Sequence, residues 1–193
     1  MWKTILIIAG IIVLIGIVII IYLLVAGADE SRRKPKKEQK GLNDMKICFV
    51  GSSGGHLTHL YMLKPFWQDK ERFWCTFDKE DARSLLAGEK FYPVYYPSNR
   101  SLKALCINTH RAIKILRKER PDVIITSGAA PAIPFFWIGK LMGCKTVYIE
   151  VFDRIDKSTI SGKLCYPVTD KFIVEWEEMK KVYPKAVNLG SIF

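Results

Sequence analysis

"KICFVGSSGGHLTHL", Lys46 to Leu60, decides the fold. A short β-rich run, Lys46–Val50, hands over through "GSSGGH" to a segment with helical spacing, "LTHLYMLKPF". Glycine at such a hand-over lets the backbone come close to a ligand, and the helix behind it offers free N–H groups and a positive dipole end. The next β-rich run, "RFWCTF" (Arg72–Phe77), completes a strand–helix–strand unit of the kind that builds parallel sheets.

Outward from this unit, strand and helix patterns keep alternating. "KEDARSLLAG" is a short helix ended by Gly88, and "FYPVYY" a third strand that Pro93 confines to an edge or an irregularity. The longest helix runs from about Ser101 to Glu119. Leu102, Leu105, Cys106, Thr109, Ala112, Ile113 and Leu116 recur at three- and four-residue spacing and predict its inner stripe. "DVIIT" has the unbroken apolar character of a strand covered on both faces. "PAIPFFWIGKLMG" predicts a helix, "KTVYIE" and "KFIVEW" strands, "EEMKKVY" a short helix and "AVNLG" a last strand. The fold class expected is α/β, a Rossmann-like doubly wound parallel sheet over residues 45–193.

Two segments precede that domain. Thr4 to Ala28 carries no charge and is dominated by Ile, Leu and Val, long enough at ~1.5 Å per residue to cross a ~30 Å hydrocarbon core. The expectation is a transmembrane anchor within residues 1–28. "AGAD" at Ala26–Asp29 loosely resembles a signal cleavage site, but the apolar run exceeds a signal peptide's core and only Lys3 precedes it. Residues 29–44 read as a basic linker, with Arg32, Arg33, Lys34, Lys36, Lys37 and Lys40 placing everything after the anchor in the cytoplasm. Of the formal +11, Lys3 and the linker's six bases and four acids leave +8 on residues 45–193. Acidic lipid headgroups are the nearest anions for such a domain, and no nucleic-acid motif competes. The odd number of cysteines, five, without C-x-x-C spacing, speaks against a disulfide framework or zinc site.

Ligands of open α/β sheets bind beyond the carboxyl ends of the strands, and three loops fall there. "GSSGGH" supplies Ser53, Gly54, Gly55 and His56, an imidazole in the first turn that can act as general base or donate to a phosphate. It is neither G-x-G-x-x-G nor G-x-x-x-x-G-K-[ST], which disfavours a dinucleotide cofactor and excludes a P-loop. "TSGAAPAIP" brings Ser127 and Gly128 to a second small-residue turn, and "YIEVFDR" ends a strand at Glu150 with Arg154 four residues on. Read alone, the first loop favours ligand binding over a tight capped turn, whereas the second is a turn and the third a local ion pair. His59 and His110 fall in helices as surface or packing residues, and no His pair suggests a metal.

"SSGGHL", "RPDVIITSGAAPAIP", "YIEVFDRIDKSTISGK", "VTDKFIVEW" and "YPKAVNLGSIF" together resemble the membrane-anchoring subunit of two-component UDP-sugar glycosyltransferases. That family includes the dolichol-pathway N-acetylglucosamine transferase subunit and bacterial subunits of capsular and extracellular polysaccharide synthesis. The resemblance spans about Met45 to Phe193. It implies the N-terminal, acceptor-side half of a GT-B enzyme, active as a heterodimer with a soluble partner that binds the UDP-sugar, and no cofactor or metal in this chain. It also implies an acceptor that is a polyprenyl-pyrophosphate-linked saccharide, with membrane lipids as the surroundings. His56, Ser53, Gly54 and Gly55 match the acceptor-side glycine loop, and Glu150 and Arg154 match an E-x-x-x-R element. Glu175 departs from the glutamine of many relatives, so nothing is carried over to it. The catalytic residues expected are His56, then Glu150. Ser53, Gly54, Gly55, Ser127, Gly128 and Arg154 are expected to bind acceptor or phosphate. The alternative is a non-catalytic membrane scaffold that activates a partner transferase.

Overall fold

The computed structural model describes residue 41 and residues 44–98 and 101–191. The predicted anchor, Thr4–Ala28, and almost all of the basic linker lie outside the described residues. Among the described residues no helix is long and apolar enough to cross a membrane.

Seven strands form one sheet: β1 (Ile47–Val50), β2 (Arg72–Phe77), β3 (Phe91–Val94), β4 (Val123–Thr126), β5 (Lys145–Ile149), β6 (Lys171–Val174) and β7 (Val187–Asn188). Their order is β3-β2-β1-β4-β5-β6-β7, and every pairing is parallel. The helices are α1 (Gly55–Tyr61), α2 (Lys64–Trp67), α3 (Glu80–Leu85), α4 (Leu102–Glu119), α5 (Ala132–Leu141) and α6 (Ile160–Cys165). The expected doubly wound α/β sheet is what forms. β1 is buried throughout, and Pro93 lies on β3, an edge strand, where a missing amide costs no ladder bond.

Side chains alternate across the sheet. Ile47 and Phe49 face one side, where Phe49 stacks on Trp74 at 4.3 Å and the fully buried Trp67 donates its Nε1–H to the Leu60 carbonyl. Each such aromatic contributes ~1.5–3 kcal/mol by leaving water. Tyr148 lies on the opposite face, stacked on Phe172 at 4.7 Å and edge-on to Phe136 of α5.

Three expectations are corrected. The single helix over "LTHLYMLKPF" begins earlier, at Gly55, and divides into α1 and α2. A helix not expected, α6, is started by Thr159, whose Oγ1 accepts from the Gly162 amide at 2.9 Å. The stripe of α4 is also displaced. Leu102, Leu105 and Cys106 are exposed, and the buried face carries Ala104, Asn108, Ala112, Ile113, Ile115, Leu116 and Glu119. A reading of apolar positions alone passes over two polar residues that are buried because their partners are. Asn108 accepts from the Tyr95 amide at 2.7 Å and donates to the Tyr95 carbonyl at 3.2 Å. Glu119 accepts from Lys46 at 2.8 Å, from Lys90 at 2.7 Å and from the Tyr92 hydroxyl.

Burial opposes ionisation of Glu119, but the hydrogen bonds from Lys46, Lys90 and Tyr92 outweigh it and hold its pKa at about 2. A carboxyl depressed in the fold stabilises fully above its unfolded value, 4.5, and loses that contribution as pH falls toward 2. Glu119→Gln is therefore expected to cost about 3 kcal/mol at pH 7 and to flatten the acid dependence in that window. Urea midpoints of the full chain at neutral and acid pH check this; parallel pH curves for both proteins would contradict it.

Candidate functional site

The strand order reverses at β1, which lies between β2 and β4. The chain leaves β1 toward β2 and leaves β4 toward β5, and it is at such a reversal, beyond the carboxyl ends of the strands, that open α/β sheets carry their ligand crevice. "GSSGGH" and "TSG" are those two loops, and the fold brings them into contact.

His56 stands in the first turn of α1, half-buried. Its Nδ1–H donates to the Ser127 carbonyl at 2.9 Å, and the Ser127 hydroxyl donates back to the His56 carbonyl at 2.8 Å. A carbonyl has no proton to give, so Nδ1 carries one and Nε2 of the neutral ring is an acceptor. Burial lowers the His56 pKa, the Ser127 bond opposing it, and keeps the ring in that neutral form at pH 7. Gly128 closes the contact: with φ 119°, a Cβ there would lie 2.9 Å from the Tyr148 hydroxyl and 3.0 Å from His56 Cε1. Thr126 ties the second loop to β1, donating to the Val50 carbonyl at 2.6 Å and accepting from the Gly128 amide at 3.0 Å.

The first glycine loop faces outward. Gly54 has φ 78°, and a Cβ on Gly54 or Gly55 would meet nothing within 4 Å. Ser53, half-buried, sits in the turn before them. The Gly54 amide donates to Asp81 Oδ2 of α3 at 2.6 Å. Between α1 and α3 lies a groove of about 420 Å³, lined by Gly54, Thr58, Tyr61, Asp81 and Ser84 among others.

Glu150 follows β5 and is 1 % exposed. It accepts from the Thr159 hydroxyl at 3.3 Å and from the Tyr183 hydroxyl at 3.1 Å. Burial pushes its pKa up to about 7, with those bonds and the Arg154 charge offsetting only part. Gly162 makes room for this network, since a Cβ there would lie 2.7 Å from Glu150 Oε2. Tyr148 continues the network, 3.3 Å from Thr159 Oγ1 and 3.2 Å from Ser161 Oγ, and Gly128 packs against the same hydroxyl. Buried polar atoms thus run from the His56 loop to Glu150.

Of the residues expected from sequence, His56, Ser127 and Gly128 come together directly, and Glu150 joins them through Tyr148 and Thr159. Arg154 joins by charge alone: it lies in an exposed loop 3.7 Å from Asp153, and its charge acts on both His56 and Glu150 without a hydrogen bond to either. Asp81, Tyr148, Thr159 and Tyr183 were not anticipated. Tyr148 had a signal, since it shares a face with Glu150 two residues on. His59 is a packing residue of an unexpected kind: its Nε2 meets Glu175 Oε1 at 2.8 Å, both side chains buried, and Ser191 donates to Glu175 Oε2 at 2.8 Å. All five cysteines are free, with only Cys106 exposed.

A family model described as "Oligosaccharide biosynthesis protein Alg14 like" matches residues 90–192. The human UDP-N-acetylglucosamine transferase subunit ALG14 is 25 % identical over 179 residues, covering 77 % of this chain and 83 % of the relative. The subunit of the same name from Candida albicans is 27 % identical over 183 residues, covering 81 % and 82 %. Among solved structures, MurG from Acinetobacter baumannii aligns with TM-score 0.59 and 14 % identity over 69 % of this chain and 42 % of its own. UDP-N-acetylglucosamine 2-epimerase from Rickettsia bellii aligns with TM-score 0.61 and 14 % identity, over 77 % and 45 %. The chain spans under half of these two solved chains, and at this identity they establish the fold alone.

Gly128→Ala puts a methyl where the His56 ring and Tyr148 hydroxyl meet. It is expected to displace His56 and to cost ~1–3 kcal/mol, as overpacking does. The chain holds three histidines, so the Cε1–H resonances of the full chain are few enough to assign. His56 should shift while the exposed His110 stays; an unmoved His56 signal with an unchanged melting point would contradict this packing.

Proposed function

The chain belongs to the Alg14-like family of oligosaccharide biosynthesis proteins, and on that premise we propose that it is the membrane-anchored, acceptor-side subunit of a two-component N-acetylglucosamine transferase. The relatives it matches over more than four-fifths of their length are themselves named subunits, which supports a separate partner as holder of the UDP-sugar. The acceptor in this reading is a saccharide on a polyprenyl pyrophosphate at the cytoplasmic face, held in the crevice between the first and second glycine loops. The uncharged segment Thr4–Ala28 supports the anchor.

One observation carries the reading: His56 is fixed through Nδ1 on Ser127, so Nε2 is the nitrogen of its neutral ring that can accept a proton. Transfer by direct displacement needs the acceptor hydroxyl to lose a proton as the sugar–phosphate bond breaks. A neutral imidazole held in one tautomer is suited to take it. Glu150 is fitted to a different task. Its oxygens accept from Thr159 and Tyr183 inside the protein, so it positions α6 and the loop before it rather than meeting the acceptor.

His56→Ala in the full chain, reconstituted with its donor-binding partner in vesicles, should lower kcat by about 10²–10⁴ and leave partner capture intact. The acid limb of the wild-type kcat/KM profile should lie below pH 6.5, the ordinary histidine value, because burial lowers His56. Glu150→Gln should lose less than about tenfold, as it keeps the shape and accepts similar bonds. Full turnover by His56→Ala with the complex preserved would leave this chain as an anchor and scaffold only.

A further inference from the structure

Helices α4, α5 and α6 pack side by side, α4 on α5 and α5 on α6. Their outer surface is unusual in two respects at once. Leu102 and Leu105 of α4, Trp137 and Leu141 of α5, and Ile160 and Leu164 of α6 are exposed, Leu102 by 80 % and Ile160 by 62 %. The last four form two i, i+4 pairs on neighbouring helices, joined where the Trp137 Nε1–H donates to the Leu164 carbonyl at 3.0 Å.

The charge on this surface has one sign. Lys103, Lys114, Lys118, Lys140 and Lys163 are exposed, whereas the one acidic residue of the three helices, Glu119, has a side chain only 3 % exposed and is bonded to Lys46 and Lys90. At the margin Asp170 is taken up by Lys140 at 2.6 Å. Helix α3 differs, with Glu80 and Asp81 in solvent. Apolar side chains set among cations, with no solvent-facing carboxylate on the three helices themselves, complement lipid headgroups over acyl chains. A tryptophan bonded through its N–H while its ring is half exposed suits that boundary.

We propose that the α4–α5–α6 layer docks flat on an anionic bilayer surface. Helices α4 and α6 begin at the carboxyl end of the sheet, where Leu102 and Ile160 are their first residues. Docking through this layer sets the carboxyl end of the sheet, with the loops beside His56, at one edge of the membrane contact. The contact uses residues 102–164 alone and does not depend on the N-terminal segment or on catalysis.

Cys106 reports the contact, being exposed on α4 while the other four cysteines are buried. A nitroxide on Cys106 of the full chain is followed in vesicles of phosphatidylcholine with and without phosphatidylglycerol. With the anionic lipid, collisions with oxygen should rise and collisions with a water-soluble nickel chelate should fall several-fold. Lys103→Gln and Lys163→Gln should each lower the docked fraction relative to the free by about fivefold, the worth of one cation at an anionic surface. Equal access of the chelate in both vesicles overturns the proposal. So does label burial that tracks protein density with spin–spin broadening, which would assign the surface to a second copy of the chain.

Discussion

The site depends on one contact, the meeting of two loops at the point where the strand order reverses. His56 and Ser127 are far apart in sequence, yet each bonds the other's main chain. Without a Cβ at Gly128 the loops close on each other; with one they collide at the Tyr148 hydroxyl. The reversal between β1 and β4 makes the crevice, the glycines let its walls approach, and the Ser127 carbonyl fixes which imidazole nitrogen holds a proton. Each consequence depends on the one before it.

Glu150 shows how the same crevice is supported from behind. A carboxyl 1 % exposed with a pKa near 7 is an unfavourable charge to bury, tolerable because Thr159 and Tyr183 can satisfy either protonation state. Thr159 serves two ends, capping α6 and bonding Glu150, so the loop from Val151 to Ser158 is tied at its return point. The clamp of Glu119, Lys46 and Lys90 lies at the other end of the sheet, where β1 begins and α4 ends, and it leaves the carboxyl end free for binding.

The parallel sheet was legible because each strand is short, apolar and followed by a helical period, and because glycines mark the turns. The two glycine loops were legible for the same reason. Less visible were contacts whose partners are distant in sequence: His59 on Glu175, Tyr183 on Glu150, and Gly54 on Asp81. The α4 stripe was misplaced since Asn108 and Glu119 are buried for their hydrogen bonds, which hydropathy does not register. Helix α6 has only six residues, too few for a period, and its start depends on the single side chain of Thr159. Arg154 matched a spacing, but its guanidinium stands beside Asp153 in the exposed turn after Glu150, a pairing that the spacing does not reveal.

In the proposed function the lipid-linked acceptor lies between the loops after β1 and β4. A polyprenyl-pyrophosphate saccharide carrying a photoactivatable diazirine on the sugar, illuminated with the full chain in vesicles and mapped by peptide mass, tests it most directly. The account predicts adducts within residues 51–58 and 126–131 that unlabelled acceptor competes away. Adducts confined to other parts of the chain, or found only on a donor-binding partner when one is present, would contradict it.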